Sequence, residues 1–130
     1  MRTVFATGLM MLGAAAGAET PERIALPSGG EAWVQEVRAE PEGYGPSYRF
    51  RYVQEGFEMN EARFAAVMAD LEHLCARHVA PWLLARAPGP QEVVVSLASA
   101  PGQFGVADPQ IAQVFETYLV ENGACIWEEF

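Results

Sequence analysis

Two cysteines, Cys75 and Cys125, and two histidines, His73 and His78, carry the most reactive side chains in this sequence of 130 residues. Thiolates and imidazoles serve as metal ligands, as acid–base groups and, for sulfur, as redox partners. The spacing argues against most of that chemistry. Five helical steps turn His73 and His78 about 140° from each other, unlike the i, i+4 pair of an H-E-x-x-H metal helix. No third ligand stands beside them, so no metal is expected. Glu72 beside His73 suggests a base with an orienting carboxylate, but adjacent residues on a helix diverge, which favours a solvated face. There is no G-x-S-x-G elbow, phosphate-cradling glycine loop or C-x-x-C pair. Ser28, Ser47, Ser96 and Ser99 sit in no nucleophile context, and no spacing singles out a carboxylate pair among the 17 Asp and Glu residues. No catalytic residue and no cofactor is assigned, and the reading leans against an enzyme.

The elements that position these groups are legible from periodicity. Residues 60–79 place Phe64, Val67, Met68, Leu71, Leu74, Cys75 and Val79 on one helical stripe, with Glu61, Arg63, Asp70, Glu72, His73 and Arg77 opposite. Asn60 supplies an N-cap, and Pro81 opposes continuation, with Trp82–Leu84 adding at most a turn. Residues 31–38 and 47–54 are strands of a hairpin. In the second, Tyr48, Phe50 and Tyr52 alternate with Arg49, Arg51 and Val53. The β-branched run 92–98 predicts a central strand. The segments 113–120 and 125–130 flank Asn122-Gly123, a type I′ turn signal that pairs Val120 with Cys125, Leu119 with Ile126, Tyr118 with Trp127 and Phe115 with Phe130. A helix over 109–119, capped at Asp108-Pro109, is the competing reading; it would leave the C-terminal strand without its nearest partner. The expected fold is α+β, a mainly antiparallel sheet with one long helix packed on one face.

Cys75 then lies on the apolar helical stripe and Cys125 on the sheet face shared with Trp127. If that face packs on the helix, both sulfurs enter one layer, and an oxidising compartment favours a single disulfide worth roughly 4 kcal/mol. Two buried thiols or a redox pair are the alternatives.

Composition and charge bound the partners. The formal charge is −9, and every basic residue is arginine. Nucleic acid is excluded as a partner because a polyanion binder needs a basic footprint. The interleaved arginines and aromatics of 48–52 are therefore expected to pair with cross-strand acids such as Glu36 and to fill the core, respectively. Residues 1–18 have Arg2, an apolar run from Val4 to Leu12 and a small-residue ending at Ala18, the layout of a cleaved secretory signal. The apolar run falls short of the roughly 20 residues that span a bilayer, and no later run is long enough. The expected organisation is a signal peptide over 1–18, an extended arm or short leading strand over 19–30 and one domain over 31–130, acidic and periplasmic or secreted.

The motifs R-F-R-Y-V at 49–53, D-L-x-H-L-C at 70–75, V-V-V-S-L at 93–97, F-G at 104–105 and N-G-A-C-I-W-E-E-F at 122–130 resemble a family of small exported alphaproteobacterial proteins of unknown function. Members are sometimes labelled acetolactate synthase. That activity needs thiamine diphosphate held through a metal, and no such motif is present. The resemblance implies a shared fold and the same two cysteines, and it brings no catalytic residue.

The resulting expectation is a non-enzymatic protein-binding or envelope-complex accessory module. One sheet face is covered by the helix, and the other needs the N-terminal arm, a protein partner or a second copy as its cover, with Phe104, Phe115, Leu119, Ile126 and Phe130 as partner-contact candidates. The alternative is a small hydrolase or ligand-binding domain whose acidic site forms only in three dimensions.

Overall fold

The computed structural model describes residues 20–43 and 45–129. The expected signal and its cleavage point lie outside the described residues, as do Phe130 and its pairing with Phe115. The strands are β1 (Arg23–Ala25), β2 (Glu31–Ala39), β3 (Tyr48–Val53), β4 (Gln91–Ala98), β5 (Gln113–Glu121) and β6 (Ala124–Glu128). They form one sheet in sequence order. Every neighbouring pair is antiparallel except β3 and β4. Parallel neighbours need a long crossover, and the helix supplies it. The fold is the expected α+β layer.

Alternation sorts the sheet's two faces. Phe50 pairs with Val95 and Tyr52 with Leu97, Val93 pairs with Tyr118, and all six side chains are buried toward the helix. They meet Val67, Leu71, Leu74, Val79 and Leu83, each contributing about 1.5–3 kcal/mol on full burial. Val94, pointing the other way, is also buried, as a central strand requires. At the β5–β6 turn, Asn122 and Gly123 take φ of 54° and 79°. The resulting pairs Val120–Cys125, Leu119–Ile126 and Tyr118–Trp127 are those the turn chemistry specifies. Asp108-Pro109 forms a side-chain-capped turn, with Gln110 N–H donating to Asp108 Oδ1 over 2.9 Å, and no helix starts there.

The helix departs from expectation in three ways. It runs past residue 79: a 3₁₀ turn (Glu61–Arg63) leads into α1 (Phe64–Leu74), a π turn (Cys75–Val79) and α2 (Ala80–Arg86). Proline lacks an N–H and crowds the carbonyl four residues back. The π turn immediately before Pro81, in which Ala80 N–H reaches Cys75 O, widens the helix there and lets it continue. Phe64, placed on the buried stripe, is 53% exposed. Asp70, placed on the solvated face, is fully buried, because the turn after β1 packs on it: Ser28 donates its N–H and hydroxyl to the two Asp70 carboxylate oxygens. Residues 23–25, within the segment read as an arm or leading strand, are the edge strand β1.

Cys75 and Cys125 form the disulfide, Cα atoms 6.2 Å apart. It joins the π turn to β6.

Candidate functional site

The face of the sheet away from the helix is built from the residues that alternate out of the core. Register puts Glu36 opposite Arg51 and Arg38 opposite Arg49, so three guanidiniums and two carboxylates share one patch. Glu36 accepts from Arg38 and Arg51. Glu40 accepts from Arg49 Nε over 3.0 Å and lies 3.8 Å from Arg38 Nε. Arg51 and Glu36 thus pair as the charge reading expected. Over the patch folds the loop between β4 and β5. Its neck is closed by Ser99 N–H to Ala112 O and by Ala112 N–H to Ser99 Oγ, both 2.9 Å, the closed-end arrangement of an Ω-loop. A register irregularity between Val34 and Glu36 lets Gln35 reach the loop, where Nε2 donates to Gly102 O over 2.7 Å. Arg51 donates to the same carbonyl over 2.9 Å. Two residues on, the Phe104 ring lies 4.1 Å from the Arg38 guanidinium carbon and 5.5 Å from those of Arg49 and Arg51. Three cations around one ring hold it by cation–π attraction. Phe104 is held on the open face by these cations and stays 39% exposed.

Beside this cluster is a hollow of about 320 Å³, floored by Arg49, Arg51, Val94 and Ser96 and walled by Phe104 and Phe115. Farther along the face toward β6, Leu119 is half-buried, and Phe115 and Ile126 are 58% and 49% exposed. The neighbouring Glu92 carboxyl raises the Glu128 carboxyl above its ordinary value.

Strand β6 is one of the two edges of the sheet among the described residues. Trp127, on the helix side, is also 49% exposed, with its indole N–H donating to Glu116 over 2.7 Å. Together with Phe64, Met68 and Tyr118 it lines an apolar groove of about 390 Å³ between helix and sheet. Sequence reasoning missed this groove. The signal available was Trp127 itself, a large side chain on an edge strand with no large neighbour beyond it.

The histidines are rearranged by the π turn. A turn that closes on i+5 brings residues five apart nearer one face than an α-helix does. His73 and His78 both line one hollow of about 560 Å³ together with Arg77 and β1. The Tyr52 hydroxyl lies 2.7 Å from His78 Nδ1. Burial pushes the Tyr52 hydroxyl well above its ordinary value and the His78 imidazole below its own. The Tyr52 hydroxyl therefore stays protonated and hydrogen bonds with His78 Nδ1. Pro81 inside an apolar helical pattern is the sequence signal for such a turn.

Of the contact candidates, the open face brings Phe104 and Phe115 to one hollow and continues through Leu119 to Ile126. Among the described residues, no group of three or more His, Cys, Asp or Glu stands where it could hold a metal, and no helix is long and apolar enough to cross a membrane. No curated protein and no solved structure matches the chain. Residues 8–130 match a family of unknown function (DUF6497), and the chain belongs to that family.

Proposed function

We propose that this protein is an exported, non-enzymatic module that binds a protein partner along strand β6. One observation carries the reading: Ile126 and Trp127, consecutive and therefore on opposite faces of the sheet, are each 49% exposed. Among the described residues, the edge strand is half-exposed on both faces and pairs with no strand on its outer side. A strand added to β6 would pair the free backbone groups and cover both side chains, the geometry of β-augmentation. Phe115 and Leu119 extend the contact on one face, and Phe64 and Met68 on the other. The disulfide and the signal-like residues 1–18 support an oxidising exported compartment such as the periplasm.

The partner's chemistry follows from charge. β5 and β6 contain Glu116, Glu121 and Glu128 and no arginine, and Glu72 lines the groove. An extended segment alternating apolar residues with Lys or Arg complements this edge, whereas two copies paired through β6 would bring like charges together.

The test is capture from native envelope extracts by the wild-type chain and by Ile126→Asn and Trp127→Asn variants. A stoichiometric protein retained by wild type and lost from both folded variants is expected. Undiminished retention by both variants moves the interface elsewhere.

A further inference from the structure

We infer that the hollow beneath Phe104 is a binding site for a single carboxylate attached to an apolar or aromatic body. Phe115 borders both this hollow and the proposed partner contact, and the other residues of the hollow lie off β6. Three guanidiniums, Arg38, Arg49 and Arg51, share two carboxylates, Glu36 and Glu40, so one positive charge is left over in a chain whose formal charge is −9. Arg49 uses only Nε toward protein carboxylates, and its two terminal nitrogens form a fork suited to bidentate pairing with one carboxylate. No acidic residue lines the hollow; Ser96, Gln103 and Gln113 supply neutral hydrogen-bonding groups around the two arginines.

The site is pre-organised. Arg49 and Arg51 stand on β3, flanked by β2 and β4, and the Arg51 side chain is only 13% exposed. The Phe104 wall is fixed by the Gln35 and Arg51 contacts to Gly102 and by the cations around its ring. Sites mounted on strands and locked by their neighbours lose little freedom on binding. Phe104 and Phe115 make two aromatic walls, so the preferred ligand carries an apolar group next to its carboxylate. Inorganic phosphate lacks that group. An acidic ligand site was the alternative expected from sequence, and the charged groups that converge here, Arg49 and Arg51, are basic instead.

The test uses the full disulfide-bonded chain, with binding followed by NMR shifts of the Phe104 and Ser96 amides. The probes are N-acetylphenylalanine, its neutral amide, and inorganic phosphate. Saturable binding of the acid is expected, with the amide weaker by about tenfold or more, as for loss of a charge-assisted pair, and with phosphate weaker because it lacks the apolar group. Arg49→Gln abolishes the preference for acid over amide, and Arg49→Lys, which keeps the charge without the fork, weakens the acid several-fold. Ile126→Asn leaves binding intact, which separates this site from the β6 edge. A peptide ending in free phenylalanine, compared with an amidated peptide carrying an internal Glu, distinguishes a terminal from a side-chain carboxylate; binding of either supports the site. Equal affinity for acid and amide, no saturation by any carboxylate, or an Arg49→Gln variant that is folded and unchanged overturns the proposal.

Discussion

The Tyr52 hydroxyl and His78 Nδ1 hydrogen bond across 2.7 Å, tying β3 to the π turn. Burial holds the His78 imidazole below its ordinary value of 6.5, with Glu22 opposing and Arg86 reinforcing the shift. The folded chain therefore binds this proton less well than the unfolded chain. The stability involved is fully present above about pH 6.5 and is lost as the pH falls through the lower folded-state value. Thermal melts should show the midpoint falling from about pH 7 to pH 5, and falling less in His78→Gln. Parallel pH profiles for the two proteins would contradict the assignment.

The disulfide fastens the helix to an otherwise free edge strand. A Cys75→Ala/Cys125→Ala double variant should lose about 2–5 kcal/mol in chemical denaturation. Unreduced, denatured wild type should show no titratable thiol.

Asp70 carries the contact between the helix and the turn after β1. Asp70→Ala leaves the Ser28 groups without their acceptor and should cost about 1–3 kcal/mol. Ser28→Ala should cost less than Asp70→Ala, and adding it to Asp70→Ala should cost little more, because both act on one contact. Additive losses in a double-mutant cycle would contradict that coupling.

Glu92 raises the Glu128 carboxyl above the usual range. A raised acid favours the folded state below its ordinary value, and that contribution is lost as the pH rises through the folded value. Glu92→Gln should return Glu128 toward an ordinary carboxylate titration, observed by NMR of its side-chain carbon.

Much of this arrangement was legible in residue pattern, and the reasons are local. Asn122-Gly123 specifies one turn, and counting outward from it places Cys125 beside Val120 and Trp127 beside Tyr118. The alternation of Tyr48, Phe50 and Tyr52 with Arg49 and Arg51 likewise separates the core face from the open one. Contacts made by irregular backbone were not legible. Phe104 reaches the arginines only because residues 99–112 fold back across the sheet, and no periodicity encodes that path. Asp70 is polar and sits among polar neighbours in sequence, so its burial is visible only once Ser28 arrives from a distant turn. His73 and His78 share a hollow because Pro81 follows a π turn, a departure from α-helical counting that alters every angle derived from it.

The most direct test of strand addition is amide hydrogen exchange across residues 124–128, in the free chain and in complex with the captured partner. The β6 amides that point away from β5 should exchange quickly in the free chain and become strongly protected in the complex, with Ile126 and Trp127 side-chain signals shifting together. Unchanged exchange along β6, with new protection confined to another surface, would contradict a partner bound at this edge.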